Sequence, residues 1–118
     1  MILGFKCKTI QIDFVFPDGK QASEHPNPGT PYYGERRRCF LPNNTEGKKV
    51  LKLVKVAWKR KLMFTIGYSE TRGVDDVIIW NGIEMKTNIK GGRGRYGWPD
   101  KSYFKRVLKQ LKKKGVRE

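Results

Sequence analysis

The chain holds one histidine, His25, and two cysteines, Cys7 and Cys39. Thiolates and imidazoles in that number do not assemble a four-ligand zinc site, so neither a zinc finger nor a RING module is encoded here and no bound metal is expected. Long apolar runs are also missing. The opening MILGFKCKTI is too short an apolar stretch for a secretory signal, and no later stretch is long enough for a membrane span. Without leader or span, no membrane partner is expected, and the cysteines are expected to remain free thiols in an intracellular protein of the cytoplasm or nucleus. Acidic residues are scarce: 11 Asp and Glu face 26 Lys and Arg, a formal net charge of +15. That surplus raises affinity for nucleic acid, anionic surfaces and phosphate-bearing ligands without choosing among them, and it also serves solubility.

What is present describes a folded chain. Hydrophobic residues make up 37% and aromatics 12% of 118 residues, more than a solvated disordered chain carries. The length suits one domain spanning residues 1–118, and no internal repeat divides it. In TIQIDFVFPDGKQ, Ile10, Ile12 and Phe14 alternate with polar neighbours up to Pro17-Asp18-Gly19, the pattern of a strand and a tight turn. In HPNPGTPYYG, His25, Asn27 and Thr30 each precede a proline and are pushed toward extended conformations, which predicts an ordered loop. The run RRCFLP reads as a short strand ending at Pro42.

From Asn43 to Lys61 the period becomes helical, with Asn43 the expected N-cap and Glu46 completing a capping box. Val50, Leu51, Leu53, Val54, Ala57 and Trp58 cover one side, and Lys48, Lys52, Lys55 and Lys59 the other, a solvated face or a track for phosphates. LMFTIGY and DDVIIWN, joined by SETRGV, predict a hairpin of buried strands. From Asp100 a second helix carries Tyr103, Phe104, Val107, Leu108 and Leu111 on one arc and lysines on the other, with Gly115 as the C′ residue. The expected fold class is therefore α+β, a small mixed or antiparallel sheet with two main helices.

Two stretches carry the chemistry. GGRGRYGWPD alternates glycine with Arg93 and Arg95, but it is short and lies between a strand and a helix. It reads as a folded loop in which Tyr96 and Trp98 either offer rings for a nucleobase to stack on or fill the core. In WNGIEMKT, Trp80 ends a strand, and Glu84 and Lys86 share a face if the strand continues. Such a pair suits a ligand with phosphate and hydroxyl groups, or is merely an exposed ion pair.

HPNPGTPY, CFLPNNTEGKKVLKLVKVAWKRKLMFTIG, GYSETRG, IIWNGIEMKT, YGWPD and YFKRVLKQLKKKGV together resemble the C-terminal domain of the Deltex family of ubiquitin ligases. The resemblance runs in order and with similar spacing over nearly the whole chain from about Thr9. It implies an α+β fold whose cleft binds ADP-ribose or NAD, with no cofactor required. It also implies that a RING domain and a ubiquitin-conjugating enzyme are supplied elsewhere. The residues it implies for the cleft are Ser69, Glu70, Thr71, Trp80, Asn81, Glu84, Lys86, Arg95, Tyr96, Gly97 and Trp98.

Three positions depart from the family pattern. Glu84 stands where a histidine is common, Glu70 where a serine is common, and Gln110 where a glutamate is associated with activating the ribose hydroxyl. A glutamine amide does not accept that proton, so Glu84, facing Gln110, becomes the candidate catalytic carboxylate. Glu70 would oppose a diphosphate unless Arg72, Arg93 or Arg95 offsets it. The expected function is an ADP-ribose-binding module that recruits ADP-ribosylated protein or nucleic acid to a RING-type ligase. The alternatives are a basic domain binding RNA or DNA, and ubiquitin transfer onto ADP-ribose with a partner RING.

Overall fold

The computed structural model describes residues 1–117. Strand β1, Thr9–Val15, pairs antiparallel with β4, Arg36–Pro42, from Thr9 opposite Pro42 to Val15 opposite Arg36. Alternation along both strands sends Phe14, Cys39 and Leu41 into the core. Burial pushes the Cys39 thiol up to about 12, so it behaves as a small apolar side chain, and both cysteines are free.

Between β1 and β4 the chain makes a short ladder, β2 (Gly19–Lys20) with β3 (Pro31–Tyr32). Asp18 closes the approach to it by accepting from the Gly34 amide at 2.6 Å. The proline-rich loop is ordered, as its X-Pro steps predict. Gln21 Nε2 and Asn27 Nδ2 both donate to Asp76 Oδ1, at 2.7 and 2.8 Å.

Helix α1 spans Thr45–Lys59, not Asn43 to Lys61. Its cap is Asn44, whose Oδ1 accepts from the Gly47 amide at 2.8 Å, rather than Asn43 paired with Glu46. The Asn43 amide still donates to Lys8 O at 2.8 Å, so that residue belongs to the extended chain and does not start the helix. Gly47 in the first turn is a steric requirement, since a Cβ there would sit 1.7 Å from the Pro42 carbonyl oxygen. Val50, Leu53, Val54 and Ala57 are buried, each larger side chain worth roughly 1.5–3 kcal/mol. Lys48, Lys52, Lys55 and Lys59 are exposed, as the period predicts.

The predicted hairpin forms as β5, Phe64–Ser69, against β6, Val74–Trp80, with an irregularity between Gly67 and Ser69. A one-turn 3₁₀ helix, Arg93–Arg95, precedes α2, Tyr103–Lys113. The second helix starts three residues after Asp100, after a turn in which the Ser102 amide donates to Asp100 Oδ1 at 3.3 Å and the Tyr103 amide to Asp100 O at 3.2 Å. Gly115 follows at φ 81°, in the left-handed region expected of a C′ residue. The fold is α+β, but its strands form three separate two-stranded antiparallel ladders rather than one sheet. One core joins α1, α2, β4 and the loop after β6, and Ile2 from the N-terminal segment is part of it. No helix among the described residues is long and apolar enough to cross a membrane.

Candidate functional site

Strand β6 ends at Trp80, and the chain then crosses the front of α2 without strand pairing. Side-chain and backbone bonds hold this crossing. The Glu84 amide donates to Gln110 Oε1 at 2.7 Å, and the Tyr103 hydroxyl donates to Glu84 O at 2.8 Å. The Phe40 amide donates to Lys86 O at 2.8 Å. Thr87 and Asn88 amides both donate to Tyr96 O, at 2.9 and 3.2 Å, which locks the glycine-arginine loop beside the crossing. Gly97 makes that approach possible, because a Cβ there would lie 2.0 Å from Lys90 O.

The two pieces enclose a groove of about 460 Å³. Trp80, Ile83 and Met85 supply its apolar lining, Thr71, Thr87, Glu84 and Gln110 its polar groups, and Tyr96 a wall. Tyr96 is a non-glycine residue at φ 53°, ψ 39°, a conformation costing roughly 1–2 kcal/mol. Its side chain is 60% exposed. A large ring held open on a strained, hydrogen-bonded backbone makes an anchored platform at the groove mouth.

Behind the groove lies an ion cluster that sequence reasoning did not assemble. Lys86 Nζ contacts Asp100 Oδ2 at 2.7 Å and Glu84 Oε2 at 3.5 Å. Arg106 Nη2 contacts Glu84 Oε2 at 2.9 Å and also pairs with Asp100. The Arg106 hydrogen bonds, opposed by burial and helped by Lys86, hold the Asp100 carboxyl well below the usual carboxylate range. At Glu84 burial pushes the pKa up, but Arg106 and Lys86 outweigh it and the net shift is downward.

Several sequence expectations change here. Lys86 is not a phosphate ligand: its side chain is fully buried, with Nζ 5.3 Å from the Tyr103 ring centre. Glu84 and Lys86 do not share a strand face, nor are they an exposed pair; they meet through the cluster. Trp98 is not a stacking surface, being fully buried, edge-on to Phe5 at 5.2 Å, with its indole N–H donating to Phe40 O. Asn81 is turned to the α1–β5 connection, where its Nδ2 donates to Leu62 O at 3.2 Å. Ser69 is buried, with its Oγ accepting from the Arg72 amide, so it shapes the hairpin turn. Glu70, Arg95 and Gly97 are not among the described residues lining the groove, and Glu70 and Arg95 are exposed. Arg72 does not offset Glu70; it pairs with Glu35 at 2.6 Å.

Thr71, Trp80, Glu84, Tyr96 and Gln110 are brought together as expected. Gly82, Ile83, Met85 and Thr87, all within WNGIEMKT, also line the groove. Arg106 is signalled in the sequence only by its spacing, three residues after Tyr103 and four before Gln110. That spacing puts all three on one face of α2.

The fold and site define an α+β domain with a side groove built between a strand exit, a glycine-rich loop and a C-terminal helix. The profile of the Deltex C-terminal domain matches residues 1–116. The chain is 48% identical over 111 residues, 94% of its length, to a probable E3 ubiquitin-protein ligase DTX3 of Homo sapiens. It is 44% identical over 114 residues, 95% of its length, to E3 ubiquitin-protein ligase DTX1 of Xenopus laevis, and 45% over 114 residues to E3 ubiquitin-protein ligase DTX4 of Mus musculus. The chain belongs to the Deltex C-terminal domain family. It spans 32% of the length of the first of these relatives and 18% of the other two.

Proposed function

We propose that the groove binds ADP-ribose, free, as part of NAD or attached to protein or nucleic acid, and that the domain thereby recruits substrates to a RING-type ubiquitin ligase. The observation that carries this reading is the pairing of an exposed, anchored Tyr96 ring with an apolar lining of Trp80, Ile83 and Met85. A volume of about 460 Å³ lies within the ordinary range for small-ligand sites. Thr71, Thr87 and the Gln110 amide offer partners to ribose hydroxyls, and the exposed Arg93 and Arg95 shortly precede Tyr96 in sequence, available to a diphosphate. The ubiquitin context rests on the relatives, whose names describe E3 ubiquitin-protein ligases.

Recruitment is favoured over catalysis by this chain alone. Gln110 has no basic group, and Glu84, held ionised by Arg106 and Lys86, is a weak proton acceptor. Titration calorimetry with ADP-ribose tests the reading. Binding is expected for the native chain, and Tyr96→Ala is expected to weaken it by about 1–3 kcal/mol, roughly 5- to 150-fold, with the fold intact. Absence of heat at millimolar ligand with a folded sample overturns it. Ubiquitin transfer, measured by adding a RING, a conjugating enzyme and ADP-ribose in trans, is expected to survive Glu84→Gln if Glu84 is not the base.

A further inference from the structure

The molecule has a second and larger hollow, about 820 Å³, that the proposed function does not use. Asn81 borders it, whereas its neighbours Trp80 and Gly82 border the first groove, so the two hollows share this segment as a wall. The second hollow lies between the β2–β3 ladder, the end of α1 and the β5–β6 hairpin. Its floor is apolar: Met63, Ile66 and Ile78 are all nearly inaccessible. Its wall is Trp58, an indole 38% exposed although it sits on the apolar side of an otherwise well-covered helix.

The rim is cationic. Lys20 stands on one side, Lys59, Arg60 and Lys61 on the other, against the single carboxylate of Glu24. Arg60 donates to Gly115 O, but Lys20, Lys59 and Lys61 are exposed and form no ion pair among the described residues. Three lysine charges at one rim repel one another and outweigh the partial negative charge of the α1 C-terminus, so the rim favours an anionic occupant. The lining favours apolar side chains over nucleobases. Phe16 meets Trp58 and Phe64 edge-on, at 5.2 and 4.8 Å, and the floor is aliphatic, whereas base stacking needs open ring faces.

We propose that this hollow is a docking site for an acidic peptide segment of a partner protein, with a bulky apolar side chain seated against Trp58 and its Asp and Glu neighbours on Lys20, Lys59 and Lys61. Apolar anchors give such an interface its residence time and rim charges its rate of encounter and its salt dependence. The site is separate from the ADP-ribose groove and stands whether or not that groove binds nucleotide.

Selection of a displayed library of random dodecapeptides against the intact chain tests the proposal. Enriched sequences are expected to combine several Asp or Glu with an aromatic or aliphatic anchor, and synthetic copies are expected to bind with affinity that falls as salt rises. Lys59→Glu with Lys61→Glu is expected to weaken them about tenfold or more, and Lys20→Glu, on a different element, to do the same in part. Unfolding midpoints of the variants establish that they are folded. ADP-ribose and Tyr96→Ala are expected to leave peptide binding unchanged, which separates the two sites. The proposal is overturned if no acidic sequences are enriched, if both charge variants bind them normally, or if a thymidine oligonucleotide displaces the peptide and is itself lost on the charge reversals.

Discussion

Replacing Lys86 by alanine leaves Asp100, 3% exposed, with one cation in place of two and opens space under Tyr103. Removing one member of such a buried cluster costs about 3 kcal/mol or more. A urea titration should therefore show a large drop in midpoint, against a change within about 0.5 kcal/mol for Lys101→Ala on the exposed face. Asp100 makes the same cluster sensitive to acid. Its folded pKa is below the unfolded value of about 3.9, so its contribution is complete above that pH and is lost as pH falls toward the folded value. Stability should decline below about pH 4, and Asp100→Asn should flatten that acid limb while lowering stability at neutral pH. Single positions were also where sequence reasoning misplaced chemistry. A lysine two residues from a carboxylate reads as exposed and available, and nothing in local spacing announces Asp100 and Arg106 as its partners.

At the scale of elements, the helix and strand periods were legible because alternation and the helical repeat are written in adjacent residues. Boundaries were less so. NNTEG offers two asparagines, and Asn43 with Glu46 makes the better-looking pair. The choice is made by Asn43 continuing the ladder to Lys8 and by Gly47 clearing the Pro42 carbonyl, both facts of the β4–α1 junction. Asn44→Ala is accordingly expected to cost about 1 kcal/mol and Asn43→Ala only a few tenths, read from thermal unfolding. The start of α2 is a parallel case. Asp100 looks like an N-cap, and its Oδ1 does accept from the Ser102 amide at 3.3 Å, but the same carboxylate is shared with Lys86 and Arg106 and the helix opens only at Tyr103, with Ser102 making no side-chain capping bond.

Across the whole molecule, the α+β class and the meeting of WNGIEMKT with RYGWPD followed from pattern and resemblance. Which residues of those segments face the groove did not. The same polar-apolar alternation fits Trp98 in the core and Trp98 on the surface, and only the packing of Phe5, Tyr103 and Phe104 around it decides. The larger hollow is not legible in the sequence because its walls come from separate parts of the chain. Lysines read as one stripe along α1 are divided by the fold, with Lys59 at the rim of that hollow.

The first residues act as a clasp. Ile2 is buried, the Leu3 amide donates to Ile89 O at 2.9 Å, and Phe5 lies against Trp98. The family match, which sequence motifs place from about Thr9, takes in these residues as well, and a fragment trimmed at Thr9 would admit solvent to the indole. Its tryptophan emission should move to longer wavelength, and the arch carrying Tyr96, released at its base, should become the first place a protease cuts.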